Sequence, residues 1–223
     1  DNTAVGYAAL SANTTGTQNT AIGISALLAN TTGSHNVAVG KGALDVNTTA
    51  SYNTGVGYNA MGSNSTGAYN AAFGNSALKA NTTADYCTAV GNYALYTNTT
   101  GASNTAVGAN ALDNNTTGTQ NTAVGRHALS AITTAGDNTA IGYYSGSSIT
   151  SGQQNTALGT QTMHLATTGS YNTAVGCYAL DAAVTGNSNT AVGHQALSLN
   201  TSGQNNVAIG KEALEANTTA DHN

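Results

Sequence analysis

The sequence predicts an all-β chain: a parallel β-solenoid or β-roll of about thirteen 17-residue coils, drawn out as an elongated fibre. Three observations carry this expectation. A motif, N-T-A-V-G-x-x-A-L-x-x-N-T-T-G-x-x, recurs every 17 residues without an insertion or deletion. One of its columns is Gly in every copy, and two others are almost always apolar. Repetition of this length marks a supersecondary unit that cannot bury its apolar face alone and must stack on its neighbours.

Column one begins at Asn2 and steps through Asn19, Asn36, Asn53, Asn70, Cys87, Asn104, Asn121, Asn138, Asn155, Asn172, Asn189 and Asn206, with Asn223 opening a further copy. The thirteen copies serve as an internal alignment, so tolerance can be read column by column. Column five is Gly6, Gly23, Gly40, Gly57, Gly74, Gly91, Gly108, Gly125, Gly142, Gly159, Gly176, Gly193 and Gly210. Such constancy requires a positive φ or a backbone approach that no Cβ permits. Column fifteen exchanges Gly (Gly16, Gly33, Gly67) for Ala (Ala50, Ala84, Ala135, Ala220), so it demands smallness but not a left-handed backbone.

Column four is apolar throughout (Val5, Ile22, Phe73, Leu158, Ile209), and column nine is Leu or Met except at Gly146. These two columns are the expected core. A helix is a poor reading of a unit with β-branched residues, a fixed Gly and an Asn-Thr-Thr-Gly turn signal, since an interior Gly costs a helix about 1 kcal/mol. Short strands are expected instead: one at Thr-Ala-Val, a second at Ala-Leu and a third at Thr-Thr. Stacked at the strand spacing of about 4.8 Å, thirteen coils give a rod on the order of 60 Å long. Residues 1–223 read as a single repeat array with no separate globular domain, opening and closing inside the motif as a segment of a longer fibre does.

Composition agrees with a buried core and excludes several functions. Charged residues are 6% of the chain, Pro and Trp are absent and the net charge is -5. Disordered chains lack regularly spaced apolar residues, which are present here throughout. The four basic residues, Lys41, Lys79, Arg126 and Lys211, lie far apart, so no electrostatic footprint for nucleic acid exists. No apolar run approaches the roughly 18 residues that membrane insertion requires.

The element N-T-A-V-G or N-T-A-I-G followed by A-L, as in Asn2 to Leu10, Asn19 to Leu27 and Asn189 to Leu197, resembles the head repeats of trimeric autotransporter adhesins. It is also similar to repeats in tail-fibre-like proteins of phages and environmental bacteria. The resemblance covers the whole chain and implies a left-handed parallel β-roll with three chains side by side. The 17-residue period is longer than the adhesin repeat.

The Asn-Thr-Thr segment creates N-x-S/T sequons at Asn13, Asn30, Asn47, Asn64, Asn81, Asn98, Asn115, Asn200 and Asn217, with Asn114 beside the register. One reading is a glycosylated fibre; the other is a ladder of Asn side chains stacked coil on coil. Consecutive copies carry Ile132, Ile149, Ala166 and Ala183 in this column, which suits an inward ladder better than an exposed glycan site. Thr recurs in columns two, thirteen and fourteen, where flat hydroxyl rows would offer an ice-binding face. Cys87 and Cys177 stand about five coils apart, too far for a disulfide at the usual Cα separation, and Cys87 is expected to be buried. His35, His127, His164, His194 and His222 are scattered, and the acidic residues do not cluster, so no metal site or cofactor is implied. Most tyrosines, among them Tyr7, Tyr52, Tyr58, Tyr69, Tyr86, Tyr143, Tyr144 and Tyr171, fall in variable columns and are expected to point outward without a specific role.

The functional expectation is a structural segment of an extracellular, cell-surface or virion-surface fibre, giving reach and multivalent display for adhesion. Its partners would be further copies of itself, as a homotrimer or an end-to-end filament, and cell-surface receptors or glycans. A glycosylated homopolymeric filament and an ice-binding solenoid are the alternatives. No enzyme is expected, because no departing copy gathers nucleophile, base and acid.

Overall fold

In the computed structural model, which describes residues 1–182 and 184–223, the chain is an all-β parallel solenoid with one strand per 17-residue coil. Ala183 lies outside the described residues. The chain divides into two compact units, Asp1–Thr117 and Gly118–Asn223. In the first, β1 (Thr3–Val5), β2 (Thr20–Ile22), β3 (Val37–Val39), β4 (Thr54–Val56), β5 (Ala71–Phe73), β6 (Thr88–Val90) and β7 (Thr105–Val107) pair in parallel, each residue opposite its counterpart one repeat later. The second repeats the plan with β8 (Thr122–Val124), β9 (Thr139–Ile141), β10 (Thr156–Leu158), β11 (Thr173–Val175), β12 (Thr190–Val192) and β13 (Val207–Ile209). No described residue lies in a helix that could cross a membrane.

Of the three strands expected in each coil, only Thr-Ala-Val forms among the described residues. The Ala-Leu segment is a turn, because columns seven and nine take left-handed φ: Ser25 lies at 59° and Leu27 at 52°. Reversal of φ at every second residue breaks the pleat that a strand needs. Pairing along the axis survives the loss of strand geometry. Leu27 N–H donates to Ala43 O at 3.0 Å in the next coil, and Ser25 N–H donates to Tyr7 O at 2.9 Å in the preceding one. Thr-Thr behaves likewise, with Thr31 N–H reaching Thr48 O at 2.8 Å. Buried backbone groups must be paired somewhere, and here the neighbouring coil supplies the partner.

Inside each unit the core is narrower than the sequence suggested. Column nine is buried as expected, through Leu27, Leu44, Met61, Leu78 and Leu95 in the first unit and Leu129, Met163, Leu180 and Leu197 in the second. The side chains facing it are alanines of columns three and eight, such as Ala21 and Ala26 or Ala191 and Ala196. Column four, expected in the core, points out: Val5, Ile22 and Phe73 are 57%, 40% and 43% exposed. Alternation along a strand explains the correction. With Ala turned in, both of its neighbours must turn out, and a coil this tight has room for a methyl group opposite Leu but not for a branched side chain.

Where one core position shrinks, another grows. Gly55 replaces the column-three Ala, and a methyl group placed on it would meet Leu44 Cγ and Met61 Cε, each at 3.4 Å. Met61 therefore fills the gap with a longer, unbranched side chain. In the second unit Gly146 replaces the column-nine Leu; a methyl group there would lie 2.9 Å from Leu129 Cδ2 and 3.1 Å from Ile149 Cδ1. Ile149 occupies the space that a Leu at 146 would need. The coils around Ser145, Gly146 and Thr162, where columns eight and nine lose their usual Ala and Leu, are repacked.

Candidate functional site

Surface chemistry repeats as rows, because side chains of one column stack from coil to coil. The largest row is the outer face of the strands. Column two contributes Thr20, Thr54, Thr88 and Thr105 in the first unit and Thr122, Thr139, Thr156, Thr173 and Thr190 in the second; column four adds a Val, Ile, Leu or Phe to every coil. No charged residue occurs in either column. Each unit thus carries a regular uncharged stripe, mostly hydroxyl in column two, where Val37, Ala71 and Val207 are the exceptions, and hydrocarbon in column four.

The sequon column turns inward. Asn30, Asn47, Asn64, Asn81, Asn98, Asn115 and Asn200 are all 0% exposed, while Asn13 and Asn217 are half-buried. In the first unit Asn30 Nδ2 donates to Asn13 Oδ1 at 2.9 Å, and the same bond recurs from Asn47, Asn64, Asn81, Asn98 and Asn115 at 2.9, 3.1, 2.7, 3.3 and 2.8 Å. The second amide hydrogen of Asn30, Asn47, Asn64 and Asn81 goes to the column-fifteen carbonyl three residues on. N-glycosylation needs this same nitrogen, so the folded coils have no room for a glycan there. Asn114, beside the register, is the exposed sequon residue. In the second unit the column becomes apolar, with Ile132, Ile149 and Ala166 all buried.

Column one forms a second ladder. Asn19 Nδ2 donates to Gly33 O at 2.8 Å, and Asn19 Oδ1 accepts Asn36 N–H at 3.0 Å. Gly33 O accepts Asn30 Nδ2 as well, at 2.9 Å, so one carbonyl per coil ties the two ladders together. The smallness demanded at column fifteen follows from this crowding. Column-thirteen hydroxyls are also engaged internally, as in Thr31 Oγ1 to Thr48 O at 3.1 Å, whereas column-fourteen threonines such as Thr32, Thr49 and Thr83 are exposed.

Cys87 takes a place in the column-one ladder and is buried, as expected; its Sγ donates to Gly101 O at 3.2 Å and its N–H to Asn70 Oδ1 at 2.8 Å. Both cysteines are free. Burial pushes the Cys87 thiol up to about 11, against smaller opposing contributions from the backbone of Asn104 and Ser103. Alkylation under native conditions at pH 8 will therefore label the half-buried Cys177 and spare Cys87, with both reacting in denaturant; equal native rates would contradict the burial.

Two groupings escaped the sequence reading because their members lie one repeat apart. Column ten places Ser147, His164 and Asp181 in successive coils, with Ser147 Oγ 2.7 Å from His164 Nδ1. Burial raises the Asp181 carboxyl above its ordinary range, and the nearby His164 opposes that rise. Ser147 is only 6% exposed and the Tyr144 ring packs edge-on to His164 at 5.5 Å, so the serine hydroxyl is covered. Among the described residues no hollow opens beside it. Column seventeen stacks His35, Tyr52, Tyr69 and Tyr86, with ring centroids 4.7, 5.0 and 5.2 Å apart. The common step of 17 was the signal, hidden by the variability of the column. No group of described His, Cys, Asp and Glu residues could hold a metal ion.

No protein-family model matches the chain, and neither a curated protein nor a solved structure matches it.

Proposed function

We propose that this chain is a structural segment of an extracellular or virion-surface fibre, and that copies of it associate side by side through the outer face of the strands. The uncharged stripe of columns two and four carries this reading. A parallel sheet is ordinarily covered on both faces, and here the alanine core covers one while Val, Ile and Phe stand exposed on the other. Water is released from this surface when a second copy covers it. A stable interface buries about 800 Å² per partner. Only a stripe extended over many coils approaches that area on so narrow a coil, and an in-register repeat supplies one. The extracellular setting and the three-chain form rest on the resemblance of the N-T-A-V-G repeats to adhesin heads. Adhesion then follows from reach and from multivalent display of the variable outward columns to receptors or glycans.

Sedimentation of the full chain tests the proposal. The expected result is a homo-oligomer, with the Val39→Lys/Val56→Lys/Val90→Lys variant sedimenting as a monomer and keeping its β circular-dichroism spectrum. Outward side chains can be replaced without touching the core, so the variant folds. A strictly monomeric native chain overturns the reading.

A further inference from the structure

The aromatic row on the first unit carries a second inference, which does not depend on chain association. Tyr52, Tyr69 and Tyr86 have φ of 62°, 59° and 59°, so each side chain leaves its coil in the same direction. Their rings are accordingly parallel, inclined by only 4° and 9°, and remain 50%, 51% and 62% exposed. Mutual stacking covers the faces of the middle ring, which removes it as a platform for sugars, yet half or more of each residue stays open to solvent.

Two other tyrosine pairs make a comparison possible. Tyr93 and Tyr96 meet at 83° with centroids 4.9 Å apart, and Tyr143 and Tyr144 meet at 81° and 4.5 Å. The distances resemble those of the stack while the orientation differs. Orientation decides what one-electron chemistry can follow. The unpaired electron of a phenoxyl radical occupies a π orbital perpendicular to the ring, with much of its density on the ortho carbons. Face-to-face rings overlap these orbitals. An edge-on pair instead directs a C–H bond at the partner's face.

We propose that Tyr52, Tyr69 and Tyr86 are an oxidative cross-linking site, at which a peroxide-driven phenol oxidant joins rings of successive coils. Each of two neighbouring phenols gives up one electron and its O–H proton to become a phenoxyl radical. A carbon–carbon bond forms between their ortho carbons, since the para position already carries Cβ. The two ortho C–H bonds then break, their protons pass to solvent, and the phenol oxygens are reprotonated. Hydrogen peroxide accepts the two electrons and two protons as its O–O bond cleaves, giving two waters. The protein loses two hydrogen atoms for each bond formed. His35, stacked on Tyr52 with an inclination of 7°, has no phenol and ends the reactive row. The product staples one coil to the next by a covalent bond along the axis.

The test is oxidation of the dilute full chain by hydrogen peroxide and a haem peroxidase, read by dityrosine fluorescence and by denatured mass. The expected product is a single chain lighter by two hydrogens. Tyr69→Phe keeps the ring in the stack but separates the remaining phenols by two coils; its intrachain dityrosine falls to the untreated level. The Tyr93→Phe/Tyr143→Phe variant keeps the wild-type yield, and Ser103→Tyr, which adds a ring next to Tyr86, raises it. Undiminished intrachain coupling in Tyr69→Phe, its loss in Tyr93→Phe/Tyr143→Phe, or coupling only between chains overturns the proposal.

Discussion

Replacing Gly91 by Ala removes at least about 3 kcal/mol of stability, the sum of a forbidden backbone and a steric collision. Gly91 has φ of +134°, a conformation that side chains of L-residues rarely adopt. A Cβ there would also lie 2.6 Å from Gly108 O and 2.7 Å from Gly108 C in the next coil. The obstacle is backbone held by its own hydrogen bonds, so it cannot rotate aside as a side chain would. Relief requires the two coils to separate, which stretches every axial bond between them.

Two controls divide the effect. At Gly210, φ is +125° but the nearest atom to an added Cβ is Ala213 Cβ at 4.0 Å, so Gly210→Ala isolates the conformational cost, about 1–2 kcal/mol. At Gly67 the backbone is not left-handed, but an added Cβ would run into Ala84 O and lie 2.7 Å from Asn64 Oδ1 and 2.8 Å from Asn81 Nδ2, so Gly67→Ala isolates a steric cost. The buried Ala50 and Ala84 at equivalent positions show that coils can shift to admit a methyl group there, so Gly67→Ala costs about 1–2 kcal/mol, less than Gly91→Ala. Urea unfolding of the three variants checks the order; a Gly91→Ala protein as stable as Gly210→Ala would contradict the close approach of the coils.

Asn64→Ala is the second large loss, expected at about 2–5 kcal/mol. Asn64 Nδ2 donates to Asn47 Oδ1 at 3.1 Å and to Gly67 O at 2.9 Å, and its Oδ1 accepts Asn81 Nδ2 at 2.7 Å. The side chain is wholly buried, so water cannot replace these bonds. Gly67 O keeps the Asn53 Nδ2 bond at 2.8 Å, but the Asn47 oxygen and one Asn81 hydrogen are left buried and unmatched. Asn64→Ile fills the volume and still strands both neighbours, so its loss is of similar size. Converting Asn47 and Asn64 together to Ile costs less than the sum of the single changes, since the bond between them is then lost only once. The second unit shows the end point of that series, with Ile132 and Ile149 in adjacent coils. Additive losses in the double variant would mean that the ladder is not a coupled row.

Reading by columns reaches this ladder because a column that tolerates Ile and Ala beside Asn suits an inward position better than an exposed one. It reached the glycine column for a similar reason, since thirteen copies without one exception leave little but geometry as the cause. The same method misplaced column four. Hydrophobicity alone cannot tell which face of a three-residue strand is inside, and the alanines that are inside carry too weak an apolar signal to compete with Val. The tyrosine row was missed for the opposite reason. Its column varies along the whole chain, yet varies little between Tyr52 and Tyr86, where stacking operates.

By itself the sequence determined the period, the parallel register and the small-residue columns, because a repeat without insertions forces every coil to meet its copy at the same place. Only the tertiary structure decided which way the side chains face. The left-handed residues at columns seven, nine and seventeen set those directions; they are Leu, Ser, Tyr and Gln far more often than Asn or Gly, so the usual left-handed residue types do not announce them. Such conformations cost free energy in isolation and persist because the coils on either side hold the backbone in place.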